Sequence, residues 1–196
     1  KLKVTYNGSF SVSHKTKTLK VLDADAFRAF VPTVTGVPSD AVFGTANTDW
    51  QDEIYRSAFG TEQNVSVAGN VKQIHTPFRV SLGYTDQNGI IRNSQYQRFT
   101  AGLGLTPKLL DDHLNLNLNA KFSYEHNKMI DNGVVTNALR YDPTRPVMTG
   151  SPTAATDPGL GYYIWMNGNS PMSIQTDNPV AQLELEDRLN KVVRSI

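Results

Sequence analysis

The chain is predicted to be all-β, a membrane β-barrel fragment built as an antiparallel meander of about five to six strands with short helices in long external loops. Three observations predict it. Apolar and polar residues alternate with period two in several segments, as in strands with one dry face and one wet face. The connections are lopsided, with long ones after the first and fifth segments and short ones after the second, third and fourth. No apolar run approaches the ~18 residues that a membrane-spanning helix needs.

The first strand is expected over about 1–13, where Leu2, Val4, Tyr6, Phe10 and Val12 alternate with Lys3, Thr5, Asn7, Ser9 and Ser11. A long loop, 14–62, follows. In it Asp23 caps a helix carrying Phe27, Phe30 and Val31, stopped by Pro32. Thr48 and Gln51 form a capping box for a second helix with a packing stripe of Trp50, Ile54 and Ala58. Strands are expected over about 63–71, 76–86, 90–106 and 113–126. The tight turn Asp86-Gln87-Asn88-Gly89 joins the middle two, since Asn-Gly tolerates positive φ. Pro107 to Asp112 makes the next short connection. In the last of these strands Leu114, Leu116, Leu118, Ala120, Phe122 and Tyr124 share one face, and Asn115, Asn117, Asn119 and Lys121 the other. The second long loop, 127–189, is rich in Pro, Gly, Thr and Asn, and Asn178-Pro179 opens a helix near its end. Another strand starts at 190–196. The chain begins inside one strand pattern and ends in the opening of another, as a piece cut from a longer protein does.

Composition narrows the chemistry. Lys+Arg number 19 against 18 Asp+Glu, so no electrostatic argument favours a nucleic-acid partner. The cluster Lys15, Lys17 and Lys20 reads as a solvated loop. The chain has no cysteine, which removes disulfides, thiolate metal sites and cysteine nucleophiles. The histidines His14, His75, His113 and His126 lack metal-site spacing, and Asp23 with Asp25 lacks the rest of a calcium loop. Gly102-Leu103-Gly104 falls inside a strand and is no dinucleotide fingerprint. No catalytic residue, metal or cofactor is assigned, and the chain is read as no enzyme.

Alternation alone fits a soluble sandwich too, because its strands also have one wet face. A soluble or cell-surface β-sandwich carbohydrate-binding module is therefore the alternative. Strand length separates the two. The run from about His113 to Glu125 exceeds the ~5–6 residues usual in globular strands. At ~3.3 Å per residue and ~45° tilt it rises nearly 30 Å, about one hydrocarbon core. Five or six strands close no membrane barrel, the smallest of which has about eight.

The segment Thr48-Asp49-Trp50-Gln51-Asp52-Glu53-Ile54-Tyr55-Arg56-Ser57-Ala58-Phe59 resembles a signature of SusC/RagA-type TonB-dependent transporters. Phe78-Arg79-Val80-Ser81-Leu82-Gly83-Tyr84-Thr85-Asp86-Gln87-Asn88-Gly89-Ile90 is similar to another, and Val21 to Arg28, Leu110 to Leu114, Asn117 to Lys121, Asp142 to Val147 and Asn178 to Ala181 continue the match in order. Departures concentrate between Ser151 and Asp177.

The resemblance implies that residues 1–196 are a part of a roughly 22-stranded barrel whose plug domain is not included. It implies import of glycans (oligosaccharides) or peptides across the outer membrane of a Gram-negative bacterium. The implied partners are the TonB complex, a SusD-like surface lipoprotein and outer-membrane lipid. Two sets of residues are candidates for substrate contact: Tyr162, Tyr163 and Trp165 in the outer loop, and Asn115, Asn117, Asn119 and Lys121 facing the lumen. The isolated fragment, with bare leucines and open strand edges, is expected to self-associate.

Overall fold

The structure, a computed structural model, describes residues 1–36, 43–71, 76–110, 113–149, 160–167, 170–171, 178–185 and 188–195. Expectations touching His75, Asp111, Asp112, Ile196 or most of the stretch between Ser151 and Asp177 lie outside the described residues.

Six strands form one antiparallel sheet: β1 (Lys3–Ser13), β2 (Ala58–Val71), β3 (Thr76–Asn88), β4 (Gln95–Leu105), β7 (Leu118–Met129) and β10 (Arg188–Ser195), side by side in that order. Two small hairpins stand apart from it, β5 (Lys108–Leu109) with β6 (Leu114–Asn115), and β8 (Met166–Asn167) with β9 (Ser170–Pro171). Each sheet strand pairs with its neighbour in sequence order, so the expected meander is what forms.

The ladders fix which side chains share a face. Val4, Val67, Val80, Leu103 and Ala120 make one row across five strands, and Val65, Leu82, Ala101 and Phe122 make the next. A slip of one residue in any ladder would turn its whole apolar set to the other side. On β3, β4 and β7 the band ends in an aromatic row, Tyr84, Phe99 and Tyr124, backed by Asp86, Gln97 and His126, with Lys191 of β10 next in that row, whereas on β1 and β2 it runs on through Phe10, Val12 and Phe59. Nothing among the described residues covers this face: Val4 is 63% exposed, Phe10 72% and Leu118 52%. The opposite face carries Glu62, Thr85, Arg98 and Glu125 in one row and Ser66, Ser81, Gly102 and Lys121 in another.

Three strand boundaries depart from the sequence reading, each for a local reason. β7 starts at Leu118, not at 113, because its partner β4 ends at Leu105 just before Pro107. The residues between fold back instead, with Leu110 in a left-handed conformation (φ 55°) and Leu116 N–H donating to the Pro107 carbonyl at 3.1 Å. β4 starts at Gln95, because Ile90 and Ile91 are held elsewhere: Tyr55 and Ile91 form an isolated bridge, and Arg56 N–H donates to the Ile90 carbonyl at 2.7 Å. The Asn88-Gly89 pair therefore does not form the expected two-residue turn. A longer loop does, closed by Gly89 N–H on the Ser94 carbonyl at 3.0 Å with Asn93 at φ 63°. β2 starts early, at Ala58, because β1 runs to Ser13 and offers it partners that far.

The helices lie in the connections. α1 (Ala24–Thr35) is capped by Asp23 as expected, but it passes through Pro32 and ends at Gly36, whose φ of 72° suits the left-handed C-cap. Its Phe30 is exposed, while Phe27 packs edge-on against Phe43 with centroids 5.6 Å apart. α2 (Trp50–Ile54) is capped by Asp49, not by a Thr48–Gln51 box. Thr48 Oγ1 donates to the Arg145 carbonyl at 2.6 Å, and the Gln51 amide exchanges hydrogen bonds with the Leu19 backbone at 2.7 and 3.0 Å. α3 (Gly133–Arg140) has no counterpart in the sequence reading. α4 (Pro179–Leu185) begins at the expected Asn178. Trp50 and Ile54 of α2, Val134 and Ala138 of α3, and Val180 and Leu183 of α4 make one small core. This cap sits at the end of the sheet where β1, β3 and β7 finish, so all the long connections share one side.

Candidate substrate-facing surfaces

The outer-loop aromatics are positioned by a knot of hydrogen bonds around Asp142. Its Oδ1 accepts from Thr144 N–H at 2.8 Å and Thr144 Oγ1 at 2.7 Å, and its Oδ2 accepts from Arg145 Nε at 3.2 Å. Its carbonyl accepts from Trp50 Nε1 at 3.0 Å, which ties the knot to the cap core. So held, the Arg145 guanidinium lies 4.6 Å from the Trp165 ring centroid and 5.3 Å from that of Tyr163. The two rings meet edge-on at 5.9 Å. Tyr162 turns away: it bridges to Met148 and packs on the cap core. The structure thus brings Tyr163 and Trp165 together beneath one cation, and places Tyr162 apart from them.

Burial raises the Tyr163 phenol above its ordinary pKa of 10.0, Arg145 opposes the shift and Asp142 adds to it. The Tyr163 carbonyl accepts from Tyr141 OH and from Asn178 Nδ2, both at 3.0 Å. Asn178 is fully buried and joins the loop to the helix. It also donates to the Val147 carbonyl, while its Oδ1 caps Val180 and Ala181.

The four lumen candidates divide. Asn119 and Lys121 stand on β7 opposite Gly104 and Gly102 of β4. Asn117 lies just before the strand and accepts from Asn119 Nδ2 at 2.8 Å. Asn115 belongs to the small hairpin, paired with Lys108. The glycines matter here because a Cβ at Gly102 would come 2.7 Å from Ser81 Oγ. The bare strand leaves a hollow of about 350 Å³ lined by Arg79, Ser81, Asn117, Asn119 and Lys121.

A second place escaped the sequence reading. A cleft of about 560 Å³ opens between the loop after β1 and the end of α3, lined by Lys20, Asp23, Trp50, Arg140 and Tyr141 among others. Trp50 and Tyr141 meet edge-on across its floor at 4.7 Å. No local pattern could have revealed it, since its walls come from segments within 20–27, 47–50 and 138–143, which come together only in the folded cap.

The described histidines are scattered. His14 Nδ1 contacts Ser57 Oγ at 2.7 Å, His113 contacts the Leu110 carbonyl at 2.8 Å, and His126 pairs across strands with Lys191. Among the described residues no group of three metal-ligating side chains assembles.

No protein-family model matches the chain. It is 43% identical to TonB-dependent receptor SusC of Bacteroides thetaiotaomicron over 200 residues, covering 94% of this chain and 19% of that protein. It is 36% identical to TonB-dependent receptor P3 of Formosa agariphila over 94 residues, covering 48% of this chain and 9% of that protein. The chain therefore spans at most 19% of the length of the curated relatives it matches.

Proposed function

The chain belongs with the SusC-like TonB-dependent receptors, and on that premise we propose that it forms wall and outer loops of an outer-membrane nutrient importer. The observation that carries this reading is the uncovered apolar face. It runs across the strands of one sheet, and on β3, β4 and β7 it stops at an aromatic row backed by a polar one, as a lipid-facing band does. A soluble sandwich needs a second sheet on that face, and among the described residues none lies there. An 11-residue strand such as β4, tilted ~45°, rises about 26 Å, the height of such a band.

In this reading the cap faces the outside and the row of Glu62, Arg98 and Glu125 faces a wet lumen. The plug domain lies outside these residues. The protein imports glycans or peptides in a Gram-negative outer membrane, powered by the TonB complex and covered by a SusD-like lipoprotein. The wall does no catalysis. Substrate meets Trp165 and Tyr163 at the loops, with Tyr162 packed behind on the cap core, and passes Asn115, Asn117, Asn119 and Lys121 along the wall.

The test is to express the gene that encodes the chain and fractionate the cells. Recovery of the product in the outer membrane as a heat-modifiable barrel supports the reading. A soluble, monomeric product sinks it.

A further inference from the structure

Charge on the apolar side of the sheet is confined to one end. Register puts one carboxylate and three basic groups on that side: Asp86 of β3, His126 and Lys128 of β7, and Lys191 of β10. All four lie in the two rows beyond the aromatic row, towards the cap. No other Asp, Glu, His, Lys or Arg of the six strands falls on the apolar side, and its opposite end carries Phe78, Leu105 and Leu118. Asp86 is satisfied locally: its carboxylate accepts from Gln95 Nε2 at 3.0 Å, Gln97 Nε2 at 3.1 Å and the Tyr84 hydroxyl at 3.3 Å. The basic groups remain as a cluster on β7 and β10. Lys191 stands directly across from His126, about 5 Å away between Cβ atoms, and Lys128 lies two residues along the same side of β7, about 7 Å from His126. Neither Lys191 nor His126 has an ion pair among the described residues.

We propose that Lys191, His126 and Lys128 form a binding site for the phosphate of an anionic lipid in the outer leaflet. The inference rests on the reading that the apolar side faces the membrane and the cap faces out. Position selects a lipid over a soluble anion. Tyr124, one row below His126, belongs to the aromatic row that marks the boundary between acyl chains and headgroups. One row is two residues, about 6.7 Å of strand, or about 5 Å of height at a tilt of ~45°. That height sets the cluster among headgroups, with acyl chains on Phe122, Ala120 and Leu118 beneath it. Chemistry selects a phosphate. The two ammonium groups carry only donors, their long stems let them share the oxygens of one headgroup, and Gln97 beside His126 adds an amide.

The test uses the complete product of the gene that encodes the chain, reconstituted in bilayer discs of equimolar phosphatidylcholine and phosphatidic acid. A photoreactive benzophenone side chain replaces Gln97, next to His126 in the row, and mass spectrometry identifies what it captures. Phosphatidic acid is expected to exceed phosphatidylcholine at least about tenfold, the worth of one hydrogen bond to a charged group. That excess is expected to vanish in Lys128→Gln/Lys191→Gln. It is expected to persist in Lys3→Gln/Arg79→Gln, which changes one row of the polar side. Should the probe at Gln97 prevent assembly of a heat-modifiable barrel, Gln95 in the next row carries it. Equal capture of the two lipids overturns the proposal, as does an excess that survives loss of both lysines. Capture of another polypeptide at Gln97 overturns it too, since a protein would then cover the row. The same probe at Leu82 reads the membrane separately. Lipid captured at Leu82 without preference at Gln97 ends the site and leaves the membrane reading standing. No lipid at Leu82 ends the membrane reading and the site with it.

Discussion

At the scale of single residues, buried polar side chains hold the cap together. Asn178 satisfies two carbonyls and two helix N–H groups at once. Asn178→Ala leaves these groups without water or partner, at a cost of about 2–3 kcal/mol. A lowered denaturation midpoint of the cap, followed by near-ultraviolet circular dichroism, checks it. An unchanged midpoint would show that the loop does not depend on this link.

Tyr163 gives a pH prediction. Its phenol is shifted up, chiefly by burial, so folding favours the protonated form. The stability it contributes is complete below its ordinary pKa of 10.0 and is lost as pH rises from there through the raised folded value. A spectrophotometric titration should lose a late-ionising component in Tyr163→Phe. Lys15 is also raised, first by its hydrogen bond to Asp52, but Asp52 is 70% exposed and solvent screens the pair.

At the scale of elements, the short helices depend on one another. A five-residue helix such as α2 has no stability of its own, since helix nucleation is costly. It persists because Ile54, fully buried, packs with Val134 of α3 and Leu183 of α4. Ile54→Ala should cost about 2–5 kcal/mol by transfer and cavity terms. The loss should appear as protease sensitivity of the cap while the sheet's far-ultraviolet signal stays. In the proposed reading the strands obey a different rule, because only the outer side of each meets lipid. Leu82→Arg puts a charge in the middle of the apolar band, where it should cost about 2–4 kcal/mol of membrane stability. Denaturant titration in lipid vesicles measures this. An unaltered midpoint would mean that Leu82 does not face lipid.

At the scale of the whole molecule, the isolated chain is an incomplete surface. β1 and β10 are the outer strands of the sheet, and the apolar band stands bare in water. Both features favour pairing with further copies. Light scattering in detergent-free buffer should find multimers, and a monodisperse monomer would contradict the expectation.

Much of this was legible from residue order alone. Period-two alternation determined the strands, their antiparallel order and which side chains share a face, because a pleated strand sends successive residues to opposite sides. The caps at Asp23 and Asn178 were equally legible, since a cap is a contact over two or three residues. Only the tertiary structure decided where strands stop. Leu114 keeps the alternating pattern yet leaves the sheet, because β4 has already ended and no ladder partner remains. Tertiary structure also decided the fate of the loop aromatics, since Arg145 reaches Trp165 through a turn fixed by Asp142. It decided the hollow over β4 as well, because Arg79 and Lys121 lie on strands that become near neighbours only through the register of β4 between them. Local patterns record what a residue's own backbone needs. Which distant residue lies across a ladder depends on where every intervening strand begins and ends.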